Sequence, residues 1–365
     1  MAVATLSTGM VGPSMGLAFW DSLPIIVVTN LISCLLPGFF ATFGLTGLRM
    51  TTFSRFSFGY WGNFLVVVFS MVSTTGCVTA GTGAAHFDGF AVETPTGEAG
   101  AARALSFIAV IFSFAVSWTN CAADYNVRMP INTVKWKLFL ATYVGICLPA
   151  ILVQTLGAAI YSGAQGNPSW EEAYKTYGVG GPLALALKPA GGFGKFLMAL
   201  AGLSSIPNNI PNNYSFALHA MNAGPWAARV PRIAFVTVGF GVAIIVGCLA
   251  SLSFESSLQT FLSIIGYWTI IHIVFVLEEH IIFRKCRWDF YDLDTWSEPA
   301  LLPFGWGAMG AFCFGFVGAA LGMNVSWYTS PIGGLIGNGA NIGLELTLGF
   351  SALAFPVLRG LEVSP

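Results

Sequence analysis

Charge is what this sequence has least of. Only 8% of its 365 residues are Asp, Glu, Lys or Arg, against about 25% in an ordinary soluble domain. A chain that is 55% apolar, with a mean hydropathy of +0.75, is no soluble globular protein. The net charge of −1 and the lack of any basic cluster exclude a nucleic-acid footprint. No two of the cysteines, Cys34, Cys77, Cys121, Cys147, Cys248, Cys286 and Cys313, have CxxC spacing. Most of them lie in apolar runs, so they read as small packing residues rather than a disulfide framework or a metal site. HExxH and P-loop patterns are absent and no GxSxG accompanies the polar groups within the apolar runs, which leaves metal-assisted hydrolysis, nucleophilic hydrolysis and nucleotide-driven pumping without support. No Lys or Arg precedes Arg49, so the N-terminus lacks the charged region of a cleavable signal peptide.

Long apolar runs are what the sequence has instead. They are about 20 residues each, enough to cross roughly 30 Å of hydrocarbon as helices and too long for alternating barrel strands. Polar breaks delimit nine full spans, near 22–45, 62–83, 104–125, 138–161, 196–221, 233–250, 258–283, 304–323 and 342–358, after a shorter Gly-interrupted lead over 1–20. The expected fold class is thus an all-α polytopic membrane protein, one transmembrane domain over residues 1–365, with the lipid bilayer as its surroundings. Forty-three glycines and 11 tryptophans suit close helix packing and interfacial anchoring. Assigning the loops alternately puts Arg49, Arg55, Arg128, Lys135, Lys137, Arg229, Arg232, Arg284, Lys285, Arg287 and Arg359 on one side. Only Arg103, Lys175, Lys188 and Lys195 fall on the other. The basic side is cytoplasmic, with the C-terminus, by the positive-inside rule. Asn324-Val-Ser326, a glycosylation acceptor pattern, falls in a loop on the outer side. In the longest outer loop, SWEEAYKTYG predicts a surface helix.

Polar groups inside a span are costly and normally face a bundle interior or a cavity. In SSIPNNIPNNYS (204–215), Ser204, Asn208, Asn212, Ser215 and His219 recur at steps of three and four, one face of a helix, with Leu203, Ile206, Ile210 and Ala217 largely elsewhere. Pro207 and Pro211 each lack an N–H and crowd the carbonyl four residues back, which predicts a kinked or partly unwound helix. Freed carbonyls and Asn amides offer donors and acceptors together, suited to the edge of a neutral, amide-like heterocycle. The competing reading is a Pro-kinked helix whose asparagines bind neighbouring helices. A second interruption, SWTNCAADYNVRMP (117–130), puts Trp118 and Asn120 in an apolar run and Asp124 near its end. Trp118 reads either as a stacking platform for a flat ring or as a packing residue. Asp124 reads either as a proton-linked carboxylate or as a partner of Arg128 at i+4. In VFVLEEHIIFRK, Glu278, Glu279 and His280 meet Arg284 and Lys285 at a helix end, which predicts a solvated cytoplasmic boundary.

These segments resemble nucleobase-cation-symport family 1, in its fungal purine-cytosine permease branch. The matching motifs are TGMVGP (8–13), AFWDS (18–22), SRFSFGYWGN (54–63), AADYNV (122–127), GGFGKFL (191–197), PNNIPNNYS (207–215), RVPR (229–232), IGYW (265–268), LEEHIIFR (277–284), YDL (291–293) and WYTSPIG (327–333). The resemblance implies a twelve-helix transporter whose first ten helices are two inverted five-helix repeats, with substrate at the midplane between discontinuous helices. It implies substrate contacts at Asn208, Asn209 and Pro211 on the family's helix 8 and stacking on Trp118 of its helix 6. Asn120, Asp124, Ser205 and Asn212 are further candidates for the cavity or for coupling. The family's polar contact on helix 1 would fall near Ala4 or Thr5.

The chain also departs from the family. MVSTTGC (71–77) resembles the start of helix 3, whereas GTGAAHFDG (81–89) resembles the end of helix 5 and the loop after it. Span 62–83 is therefore read as a composite replacing three helices, with residues 1–20 a partial helix 1 and 104–358 helices 6 to 12. The expected protein is an incomplete version of the fold, about nine full helices plus a partial first. Its implied activity is secondary transport of purines or cytosine across the plasma membrane with a proton as coupling ion and no other cofactor. The rival is a non-transporting, truncated permease-like protein that associates with a full-length transporter. An enzyme is not expected.

Overall fold

The computed structural model describes residues 3–82, 95–178, 180–250, 254–337 and 339–364. Its first helices are α1 (Val3–Ser14), α2 (Phe19–Ser33), α3 (Leu35–Ala41), α4 (Met50–Phe53), α5 (Arg55–Thr82), α6 (Glu98–Val116), α7 (Thr119–Ala122) and α8 (Lys135–Gln165). They are followed by α9 (Pro168–Tyr177), α10 (Gly180–Leu187), α11 (Gly191–Leu203), α12 (Ser205–Met221), α13 (Pro225–Ala228) and α14 (Arg232–Ala250). The last are α15 (Phe254–Glu278), α16 (Trp306–Gly322) and α17 (Gly343–Val363). A two-residue hairpin, β1 (Asn324–Val325) with β2 (Tyr328–Thr329), carries the glycosylation pattern. The surface helix expected in SWEEAYKTYG is α9, capped by Asn167 and braced by a Glu171–Lys175 pair at 2.8 Å.

The nine expected spans fall on helices, with residue 83 at the end of the second outside the described residues. By length and composition, six stretches suffice to cross a membrane: Phe19–Thr46, Glu98–Tyr125, Lys135–Gln165, Gly180–Met221, Ser257–Phe283 and Gly343–Val363. Arg232–Cys248 and Trp306–Gly322 are shorter apolar helices. The motif over 81–89, on which the composite reading of 62–83 turns, lies almost wholly outside the described residues.

α15 is the most enclosed of the six stretches and packs on α5, α6, α16 and α17. On the other side α1 lies against α8, and two glycines explain how closely. A Cβ on Gly9 would run into the Gln154 carbonyl, and one on Gly157 into the Leu6 carbonyl. Small residues at both positions let the backbones touch, as helices without a hydrophobic drive between them must. Asn30 of α2 then donates to the Gln154 side chain at 2.6 Å, joining α2 to the same pair.

The cluster Glu278-Glu279-His280 corrects an expectation. Glu279 and His280 are buried rather than solvated. The helix widens into a π turn over Glu279–Phe283, and Arg359, only 1% exposed, reaches in from α17. Its Nε donates to one Glu279 oxygen at 3.0 Å while Arg284 donates to the other at 3.0 Å. Arg359 also donates to Glu362 at 3.0 Å and to the Phe56 carbonyl at 2.7 Å. The Glu362 carboxylate in turn accepts from the Gly305 N–H at 2.6 Å. A carboxylate that loses water here gains two guanidinium groups, and a pair this enclosed is costly to break from one side.

Glu279→Gln should therefore destabilise the protein by about 3–5 kcal/mol, read as a lower melting temperature of detergent-solubilised protein. Glu279→Gln combined with Arg359→Gln should melt above the single variant. A single variant that melts like the parent would remove this network from the account of stability.

Candidate functional site

Two helix breaks frame a cavity. The first follows α6, where Ser117 and Trp118 form a turn before α7. The second is Ser204, between α11 and α12. At both, the serine hydroxyl returns to the carbonyl three residues back, Ser117 to Phe114 at 2.8 Å and Ser204 to Ala201 at 2.5 Å. This local bond competes with the helix ladder. The kink expected within 204–215 is thus confined to Ser204, one turn before Pro207. The backbone then stays helical through Pro211.

The face deduced from the spacing is the one α12 buries. Asn212, Ser215 and His219 are buried, whereas Ile206 and Ile210 are 58% and 63% exposed. Ala217 is the exception, buried against expectation.

The cavity between the breaks is lined by Ala4, Thr5 and Thr8 of α1, by Phe114, Ser117, Trp118, Asn120 and Cys121, by Asn208 and Asn212, and by Leu258, Phe261 and Leu262 of α15. Four sequence candidates, Trp118, Asn120, Asn208 and Asn212, are thus brought together from segments about 90 residues apart. Asn209 and Pro211 are not in the lining, and neither is Asp124; the Ser205 side chain lies outside the described residues. Ala4 and Thr5, where a helix 1 contact is implied, do line it. The sequence reading missed Thr8, one helical turn after Ala4, and Phe114, one turn before Trp118, although i, i+4 spacing could have found both. Phe261, Leu258 and Leu262 sit in an apolar run with nothing to mark them.

Asn208 makes no side-chain hydrogen bond among the described residues, so its amide offers donors and an acceptor to the cavity. Asn212 spends one N–H on the Asn208 carbonyl at 3.1 Å. The Trp118 ring contacts no other aromatic ring among the described residues, leaving a face for stacking. Asn120 is held from behind, donating to Thr269 Oγ1 at 3.1 Å and bonded through Oδ1 to His272 Nδ1 at 3.0 Å. The cavity volume is about 40 Å³, room for a few waters. A flat heterocycle enters only if the lining moves apart. Apolar walls with a few convergent polar groups are the usual make-up of a small-molecule site.

Asp124 corrects another expectation. The chain tightens to a 3-10 turn over Ala123–Tyr125, so Arg128 is not one helical turn away. Arg128 is exposed, and among the described residues Asp124 forms no ion pair. Asp124 is buried instead and accepts from the Met50 N–H at 3.1 Å, at the start of α4.

Helix breaks meeting at a polar-edged cavity are the design of a membrane transporter's substrate site. The fold agrees with a solved structure. Mhp1, described as a nucleobase-cation-symport-1 family transporter in a closed conformation with bromovinylhydantoin bound, matches 98% of this chain and 91% of its own, with a TM-score of 0.61 at 14% identity. A family model for permeases for cytosine/purines, uracil, thiamine and allantoin matches residues 1–89. The purine-cytosine permease FCY2 of Saccharomyces cerevisiae is 30% identical over 434 residues, covering 100% of this chain and 81% of the relative. The purine-cytosine permease fcyB of Emericella nidulans is 29% identical over 426 residues, covering 100% and 83%. The chain belongs to the purine-cytosine permease family.

Replacing Asp124 by Leu should leave the Met50 N–H buried without a partner, a cost of about 1–3 kcal/mol. Asp124→Asn, which keeps the acceptor, should melt close to the parent. Equal melting of the two variants would show that this hydrogen bond does not hold α4.

Proposed function

We propose that this chain carries neutral purines or cytosine inward across the plasma membrane by proton-coupled symport. The base stacks on Trp118 and its edge pairs with Asn208, while Asn120 and Asn212 complete the polar rim. Asn209 and Pro211, outside the lining, act by shaping α12. The observation that carries this reading is the convergence of Trp118 and the uncommitted Asn208 amide on one cavity. The names of the relatives supply the substrate class, and an amide paired with an aromatic face suits it chemically. The C-terminus is cytoplasmic in this reading, which rests on the excess of Lys and Arg in the loops of that side. Transport follows from rocking one helix group against the other, each motion opening the cavity to one side.

A second reading keeps the chain as a non-transporting partner of a full-length permease. The observation in its favour is length. The match to fcyB runs over 426 residues against the 365 of this chain, as an internal deletion would leave it. We assign that deletion to the junction near Cys77 to Gly83, where two motifs of separate helices meet.

Labelled cytosine, adenine and hypoxanthine supplied to cells without permeases of their own separate the two readings. Saturable uptake is expected, accompanied by external alkalinisation as protons enter. Asn208→Ala should raise KM about tenfold, the loss of one or two buried hydrogen bonds. Trp118→Ala should do at least as much, and Asn209→Ala less. Surface-expressed protein with no saturable uptake would establish the second reading.

A further inference from the structure

His272 lies behind the cavity, outside its lining, on the most enclosed helix of the molecule. Its ring is fixed on two sides, stacked on Trp268 at 5.6 Å between centroids and 26° between planes, and tilted against Phe58 at 5.9 Å. Both nitrogens are engaged. Nδ1 is 3.0 Å from Oδ1 of the cavity residue Asn120, and Nε2 is 2.7 Å from Ser54 Oγ. Among the described residues no carboxylate bonds to it. An imidazole so enclosed stays neutral, because an unpaired buried charge is costly. A neutral imidazole has one donor nitrogen and one acceptor.

Only two arrangements of hydrogens then keep both His272 bonds and the Asn120–Thr269 bond. In the first, Nδ1–H donates to the Asn120 oxygen, the Asn120 amino group donates to Thr269, and the Ser54 hydroxyl donates to Nε2, giving up its bond to the Met50 carbonyl. In the second, Nε2–H donates to Ser54, whose hydroxyl keeps its 2.7 Å bond to the Met50 carbonyl. Nδ1 must then accept, so the Asn120 amide turns over, its amino group toward His272 and its oxygen toward Thr269. The amide cannot rotate freely between these, since each orientation fits one tautomer alone. Both polar atoms of the Asn120 amide are engaged behind the cavity, so which side of the amide keeps a spare N–H and which a spare lone pair is decided by His272.

We propose that His272 is a positioning residue for substrate selectivity. Through its tautomer it fixes the amide orientation of Asn120, and so sets the preference between bases presenting an exocyclic amino group, such as cytosine and adenine, and bases presenting an oxo group at the same edge, such as hypoxanthine. This rests on the nucleobase reading of the cavity. A role in packing alone predicts a different outcome, because the flat ring of Phe would preserve the contacts with Trp268 and Phe58 and leave selectivity alone.

The test compares the KM of cytosine, adenine and hypoxanthine uptake, and the Kd of each labelled base for the protein in isolated membranes. His272→Phe should change the amino-to-oxo ratio by about fivefold, one neutral hydrogen bond's worth, with maximal rate per surface copy within about twofold. His272→Asn, whose amide reaches the place of Nδ1, should bring the ratio back toward the parent value. Should His272→Phe fail to reach the surface, Thr269→Val removes the other anchor of the same amide and should move the ratio as well. An unchanged ratio, or KM values that all rise by one factor, overturns the proposal. If the parent binds but does not transport, the transport reading falls and the Kd ratios decide this one. If it neither binds nor transports, both fall.

Discussion

A polar side chain in a lipid-embedded helix has to find its partner inside the protein, and α15 meets that constraint at several points. Tyr267 donates to Asn341 at 2.8 Å, and Asn341 in turn donates to Ser263 at 3.2 Å. His272 and Thr269 hold Asn120 between them. Just past the helix, Glu279 answers two guanidinium groups. Two of these bonds tie α15 to Asn341, just before α17, and two tie it to Asn120 in the segment after α6. Apolar packing alone would leave those neighbours free to slide, since lipid tails compete equally for the same surfaces.

The site inherits its precision from this arrangement. Trp118 and Asn120 lie at the turn after α6, and Asn120 is held there by Thr269 and His272 of α15. On the opposite wall α12 follows α11 after the turn at Ser204 and presents its asparagine face to the cavity. At its far end, Arg55 donates to the Asn222 carbonyl at 3.1 Å and to its side-chain oxygen at 2.7 Å. Arg55 also reaches the Trp296 carbonyl at 3.1 Å. The site helix is thus pinned at its C-terminal end.

Much of this was legible in the residues. The steps from Ser204 to His219 gave the buried face of α12, because period and polarity agree in a setting where polar groups cannot face lipid. Trp118, Asn120, Asn208 and Asn212 could be singled out for the same reason. What escaped was pairing across sequence distance. Nothing near Glu279 announces Arg359, 80 residues later, so the acidic cluster read as a boundary exposed to water. The pairing of Asp124 with Arg128 fails for a similar reason, since the helix needed to bring Arg128 alongside ends too soon. The apolar lining from Leu258, Phe261 and Leu262 was invisible because apolar residues in an apolar run carry no contrast.

The same turn of α12 that shows Asn208 and Asn212 to the cavity turns Ile206 and Ile210 outward, more than half exposed. Only the thickness of one helix separates the recognition groups from whatever surrounds the protein there. The acyl chains of the bilayer are in that sense the outermost wall of the site, and their order and pressure bear directly on the helix that reads the substrate. A detergent micelle replaces that wall with a softer one, so affinity measured in native membrane and affinity measured after extraction are properties of two differently supported sites.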